Sequence, residues 1–342
     1  MDKKKLITSL IFIIIVGAVI ISLTVSKKSY AVGTTLVDTV KALNKGSSWS
    51  SGASGVYYTN SHEYRYVGAE VNNYVSFNND LYRIIGVFDS NSHGVSGTEM
   101  VKLIRARTLG GASWGVYNTD NSTGTYSGYA NDWTGKSKTS KANLNVLLNE
   151  YFYNKTSTSS TYGDCANWTY YYSNNSYKTK DCSDIITYGI DSSLRGYIET
   201  TTWYLYGSGT SQSKQNWYLC ERGGNSCTPS GTNQGDASVT SKMGLMYLSD
   251  YLYASGYYSS SDTTNNSAFY YGNKNWLYKG WEWTQTPNAS GASYVWYVNN
   301  GYAFNNNTYT PYGWRPALYL KSNIKISGGF GTYNNPYILE QG

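Results

Sequence analysis

The sequence predicts an α+β fold with two helices, small antiparallel sheets and long loops. Three observations carry this. Strand-like runs gather towards both ends of the chain body, two amphipathic segments lie between them, and the patterns do not alternate as a parallel βαβ sheet requires. Thr35 to Asn44 (TLVDTVKALN) sets Leu36, Val40 and Leu43 on one face at helical spacing. Gly46 to Gly55 reads as a Ser/Gly linker. Tyr74 to Phe77 and Leu81 to Val87 flank Asn78-Asn79-Asp80, which reads as a β-hairpin with a short polar turn. Met100 to Arg107 is the next strand. Lys141 to Tyr153 predicts a helix, because Leu144, Leu147, Leu148 and Tyr151 share a face and Ser140 can cap it. Ile185 to Glu199 predicts a second, with Ile186, Ile190, Leu194 and Ile198 at periodic positions. Thr200 to Tyr206 switches to strand chemistry. Ser241 to Tyr253 holds a buried run, Met243 to Leu248, and then a turn. Loops rich in Ser, Asn, Tyr and Gly fall near 111–140, 154–184, 207–240 and 254–274, which suits a fold that presents loops.

The N-terminus predicts a membrane segment. Leu6 to Val25 is uncharged and apolar apart from a few Ser and Thr, and about 20 such residues span a bilayer. Lys3 to Lys5 precede it, and Ser29-Tyr30-Ala31 offers small residues where a signal peptidase reads. A long apolar core and Lys27-Lys28 favour a retained anchor instead. Residues 1–31 are therefore a signal peptide or signal anchor, 32–55 a short helix and linker, 56–321 the main domain and 322–342 a C-terminal β extension. Charge is scarce at 14%, and the net charge of +6 owes much to the lysines around the membrane segment. No Lys/Arg run elsewhere could track phosphates, so a nucleic-acid partner is not expected. Cys165, Cys182, Cys220 and Cys227 fit disulfides in an oxidising compartment, and local pairing (165 with 182, 220 with 227) is preferred among three connectivities. Their spacing does not suit zinc.

The chain carries 38 Tyr and 11 Trp against 7 Phe. Tyr with Ser, Gly and Asn is the composition of antibody binding loops, although Tyr also simply favours strands. The stretch Trp281 to Lys321 opens aromatic-rich and carries an Asn-rich run. Candidate ligand-binding residues are Trp281, Trp283, Asn288, Tyr302, Asn305, Asn306, Asn307, Tyr309 and Tyr312. Aromatic faces stack on sugar rings or on apolar protein surface, and Asn amides donate and accept. Alternation puts Tyr294, Trp296 and Val298 on one face of a strand and Val295 and Tyr297 on the other. One face must be core, so Trp283 and Trp296 suit packing as well as contact. Asn305 to Tyr309 reads as an exposed turn region. Gly313-Trp314-Arg315-Pro316-Ala317-Leu318 closes the region, with Pro316 at a strand start and Arg315 as a buried clamp against carbonyls or a carboxylate.

The chain resembles secreted proteins of low-GC Gram-positive (Firmicute) gut bacteria that carry a C-type-lectin-like domain of unknown function. The residues in common are YVSFNNDLYRIIGVF (74–88), MVKLIR (100–105), the Leu144–Tyr151 segment, IETTTWYL (198–205), KMGLMYLSDYLYA (242–254), WEWTQTPNAS (281–290) and YGWRPALYLKSNIKISGG (312–329), covering roughly 56–335. The closing Gly-x-Arg-Pro-Ala-Leu is similar to that of Fibrobacter major paralogous proteins, formylglycine-generating enzymes and the variable proteins of diversity-generating retroelements. The resemblance implies a C-type-lectin-like domain whose chain ends meet in a small sheet and which binds through loops on one face.

Catalytic chemistry is sparse. His62 and His93 lie in polar stretches and read as solvated surface residues, and no nucleophile elbow is seen. The paired cysteines of formylglycine-generating enzymes lie near the C-terminus of that fold, whereas all four here come earlier. Glu282, with Asp250 or Glu199, is the one pair worth weighing for glycoside hydrolysis. Asp132 and Asp262 are isolated, so calcium finds no acidic loop. No cofactor and no enzymatic activity are expected. The expectation is an exported, cell-surface binding protein for a glycan or protein, held to the membrane by its N-terminal helix if that is retained. A structural adhesion or surface-coat role and an uncharacterised hydrolase are the alternatives.

Overall fold

The computed structural model describes residues 33–50, 52–115, 131–135, 141–160, 163–165, 171–173, 176–178, 183–229, 235–256, 274–299 and 301–342. The expected membrane segment, Leu6 to Val25, lies outside them. Among the described residues no helix is long and apolar enough to cross a membrane.

The architecture is α+β, but its main sheet is larger than expected. Nine strands join it among the described residues. Its central path runs Met243–Gly244, Ala317–Tyr319, Met100–Arg105, Asp80–Phe88, Tyr74–Phe77, Tyr337–Glu340 and Lys325–Gly328. The Asp80–Phe88 strand lies against Met100–Arg105 on one side. On the other it pairs with Tyr74–Phe77 over its first half and with Tyr64–Val67 over its second. Gly86 makes the second pairing possible, since a Cβ there would sit 2.2 Å from the Tyr64 carbonyl oxygen. The hairpin turn is Asn78-Asn79, both left-handed at φ 58° and 56°, a conformation that Asn tolerates.

The first described segment meets the C-terminal strands at this sheet. Leu36–Ala42 is helical as its spacing predicts, with Thr35 Oγ1 accepting from the Asp38 N–H as N-cap. Leu36 and Val40 enter the core, and the Leu36 N–H donates to the Ile324 carbonyl. Tyr337–Glu340 pairs in parallel with Tyr74–Phe77. Lys325–Gly328 and Tyr337–Glu340, within the expected C-terminal β extension at 322–342, join the main sheet. The expected linker is also fastened: Trp49 is buried in a small cluster with Tyr57, Val67, Tyr218 and Tyr253.

Three helical expectations change. The Lys141–Tyr153 segment is one α-turn, Asn143–Val146, that widens into a π-helix over Leu147–Phe152, while Leu144, Leu147, Leu148 and Tyr151 are buried as the periodicity requires. Its expected cap, Ser140, lies outside the described residues. The Ile185–Glu199 segment is not one helix. An α-helix over Ser183–Tyr188 stops at Gly189, and a 3-10 helix follows over Ser192–Tyr197. Asn78 explains the break: its amide donates to the Tyr188 and Gly189 carbonyls and accepts from the Asp191 N–H, satisfying backbone groups a continuing helix would have used. The expected turn after Leu248 is instead a helix, Leu248–Tyr253, with the Asp250 carboxylate accepting from the Tyr247 N–H at its start.

A buried ionic network ties these elements together. Asp250 accepts from Arg65 at 2.8 Å and from Lys102 at 2.7 Å. Arg65 also holds Glu63, which accepts in addition from Ser92 Oγ. Lys102 Nζ lies 4.4 Å from the centre of the Tyr247 ring, a cation–π contact. His93, expected on the surface, is fully buried beside this network. Its Nδ1 accepts from the Val95 N–H and its Nε2 faces the Phe88 carbonyl, a pairing that suits the neutral ring, and burial holds its pKa down. His62 is exposed as expected.

Cys220 and Cys227 form a disulfide. Cys165 is disulfide-bonded and buried, and its expected partner Cys182 lies outside the described residues.

Candidate functional site

The Trp281–Lys321 region builds a second sheet of five strands among the described residues. Its order is Tyr302–Asn307, Tyr294–Asn299, Glu282–Pro287, Tyr312–Gly313 and Gly111–Ala112. Tyr294–Asn299 and Tyr302–Asn307 form a hairpin whose last pair is Asn299 with Tyr302. Gly301 sits in the turn at φ 85°, where a side chain would be strained.

Register then lines up rings. Trp283 lies opposite Tyr297, and Tyr297 opposite Phe304. Their ring centres are 5.8 Å and 5.9 Å apart. Tyr312 stacks on Tyr297 at 4.4 Å, and Trp281 packs edge-on against Tyr312 at 5.3 Å. Tyr302 adjoins Phe304 at 5.8 Å. Cross-strand aromatic pairs of this kind stabilise a sheet face. Here they form one continuous band across four strands, with Trp281 just ahead of the Glu282–Pro287 strand. Its centre is buried and its ends are open: Trp281 is 50% exposed and Phe304 40%. Asn306 Nδ2 donates to the Tyr312 hydroxyl at 2.6 Å and fixes that ring. Burial, then the adjoining Tyr312 hydroxyl, pushes the Tyr297 phenol well above its usual pKa, so it stays protonated.

The nine candidate residues separate accordingly. Trp281, Tyr302 and Asn306 belong to the band's accessible part. Trp283 and Tyr312 are buried within it and support the others; the Trp283 indole donates to the Ala112 carbonyl. Asn288 is buried in the preceding turn, where its side chain accepts from the Ser290 N–H, so it is not a surface contact. Asn305 to Asn307 are not a turn but the end of the edge strand. By alternation Asn305 and Asn307 face away from the band, on the side of Trp296. Tyr309 follows the strand, half-buried, with its carbonyl accepting from Ser113 Oγ. Tyr297 and Phe304 belong to the band although sequence reasoning did not select them. Counting back from the Asn-Gly turn pairs Tyr297 with Phe304, and that was the available signal.

No protein-family model, no curated protein and no solved structure matches the chain.

The remaining chemistry is structural. Glu282 is 1% exposed, and both its oxygens accept from Arg315, at 2.6 Å from Nε and 2.8 Å from Nη2. Arg315 also donates to the Leu277 carbonyl, which makes it the buried clamp its motif suggested. Both carboxylate oxygens are thus occupied by Arg315. Asp250 is committed to Arg65 and Lys102. Among the described residues no group of three His, Cys, Asp or Glu could hold a metal ion.

Proposed function

We propose that this chain is an exported binding protein with a C-type-lectin-like domain, recognising a glycan or a protein through the aromatic band of its five-stranded sheet. The observation that carries the reading is the band itself: stacked rings on rigid strands, open at Trp281 and Phe304, with the Asn306 amide beside them. Rings held by their neighbours lose little freedom when a ligand stacks on them, so contact area converts into affinity at low entropic cost. The meeting of the first described segment with the C-terminal strands and the Arg315–Glu282 clamp beneath the closing strand support the lectin-like reading. The Cys220–Cys227 disulfide is compatible with export. Attachment through residues 6–25 remains part of the proposal.

The test is binding of the full-length chain to an array of glycans and bacterial wall polymers, beside Trp281→Ala and Phe304→Ala variants shown to be folded by circular dichroism. Both side chains are exposed, so the fold should tolerate their loss. A specific ligand that either variant binds at least tenfold more weakly supports the reading. A ligand bound equally by all three proteins moves recognition elsewhere. No ligand at all shifts the reading to adhesion between protein surfaces.

A further inference from the structure

A second cavity is lined by none of the residues of the aromatic band. A cavity of about 640 Å³ opens between the Val71–Tyr74 segment, the Trp276–Lys279 loop and Tyr333. Small-molecule sites run from about 300 to 1,000 Å³. At its base lies Arg83, 3% exposed. Its guanidinium is clamped between two rings, with Tyr74 at 4.3 Å and Trp276 at 4.4 Å. It donates from Nε to Asn73 Oδ1 at 2.7 Å, from Nη1 to the Trp276 carbonyl at 3.1 Å and from Nη2 to the Val71 carbonyl at 3.2 Å.

All three acceptors are neutral. That separates Arg83 from the other deeply buried arginines. Arg65 has Glu63 and Asp250, Arg105 has Asp80, and Arg315 has Glu282. Arg83 makes no ion pair among the described residues. A guanidinium has five N–H groups, so two are left over after these three bonds. Burial, with Arg315 nearby, holds the Arg83 pKa below the usual guanidinium range, as expected of a positive charge without a counter-ion. Lys279 lines the same cavity, is exposed, and likewise makes no ion pair among the described residues. Burial, then Arg83 and Arg315, lowers its pKa too. Glu70 is the one acid in the lining; it is exposed, and Glu282 behind is committed to Arg315. Two cations therefore face one carboxylate across an open space. The rim is aromatic: Tyr333 is 64% exposed and meets Tyr74 edge-on at 5.4 Å.

We propose that this cavity binds a small carboxylate-bearing ligand of about monosaccharide size, its carboxylate on Arg83 and Lys279 and its ring against Tyr333. The planar fork of an arginine matches a carboxylate in two-point geometry. Arg83 is already held by three bonds and two rings, so little freedom is lost on binding.

The probe is glucuronate, titrated calorimetrically into the full-length chain, with glucose (no carboxylate) and acetate (no ring) as comparisons. Saturable 1:1 binding of glucuronate is expected, with glucose at least tenfold weaker and acetate competing only at much higher concentration. Lys279→Gln and Tyr333→Ala alter exposed side chains and leave Arg83 anchored; each should weaken glucuronate about tenfold. Glu70→Gln removes the opposing charge and should tighten it. Trp281→Ala should leave it unchanged, which separates this site from the aromatic band. No saturable glucuronate binding, equal affinity for glucose, or wild-type affinity in Lys279→Gln overturns the proposal.

Discussion

Replacing Arg315 by Met strands a carboxylate in the core. In the native chain Arg315 gives Glu282 two hydrogen bonds, at 2.6 Å and 2.8 Å, and the pair is almost wholly withdrawn from water. Breaking such a pair from one side costs about 3–5 kcal/mol, because the remaining ion is uncompensated. Adding Glu282→Gln removes that ion. The double variant then lacks only a few net hydrogen bonds, about 1 kcal/mol each, so it should be roughly 2 kcal/mol more stable than Arg315→Met alone. Acidity supplies a second check. Burial already pushes Glu282 above the usual carboxylate pKa, against the pull of Arg315. Without Arg315 it rises further. Its folded pKa then exceeds the unfolded value of about 4.3. The penalty is absent below that value and grows as pH rises through the folded pKa. Urea unfolding followed by tryptophan fluorescence at pH 7 and pH 4 measures all four corners of the cycle. Additive costs at pH 7, or an Arg315→Met penalty equally large at pH 4, would refute the stranded-ion argument.

The other predictions concern the network, the disulfide and the hairpin. Burial raises the Asp250 pKa, but Lys102 and Arg65 outweigh it and bring the carboxyl from 3.8 to about 2. Its stabilisation, roughly 2–3 kcal/mol, is present above the unfolded pKa and lost as pH falls towards 2; an acid titration of Tm should lose that component in Asp250→Asn, which is destabilised at neutral pH. The Cys220→Ser/Cys227→Ser variant opens a short loop of sequence separation 7 and should lower stability by about 2–3 kcal/mol in urea. Asn79→Val forces a β-branched residue into the left-handed turn and should cost about 1–2 kcal/mol, whereas Asn79→Gly should be tolerated without loss, both read from thermal unfolding.

What could be read in advance was local. The Asn78-Asn79 hairpin, the Leu36 helix and the buried face of Leu144 to Tyr151 follow from periodicity and turn chemistry within a few residues. The Arg315 clamp was legible as a burial but its partner was not, because Glu282 lies 33 residues away. His93 was misplaced because its polar neighbours gave no hint of the Phe88 carbonyl and Tyr319 ring that enclose it. The Ile185–Glu199 helix was overextended because Asn78, far away in the chain, supplies the partners that end it.

The candidate site divides along the same line. Composition and alternation marked candidate ligand-binding residues between Trp281 and Tyr312, and the Asn-Gly pair marked the hairpin. Burial of Trp283, Asn288 and Tyr312, and the turning of Asn305 and Asn307 away from the band, depended on which sheet face met the core. That Arg83 has no carboxylate partner among the described residues was likewise invisible, since a lone arginine in a strand looks the same whether or not a carboxylate lies beside it. The sequence by itself determined the Asn78-Asn79 turn, the Leu36 helix, the buried face of Leu144 to Tyr151 and the aromatic content of the C-terminal strands, because these rest on neighbours along the chain. The tertiary structure alone decided which rings stay open and which cation has no carboxylate partner among the described residues, because exposure and charge compensation are set by residues distant in sequence and adjacent in space.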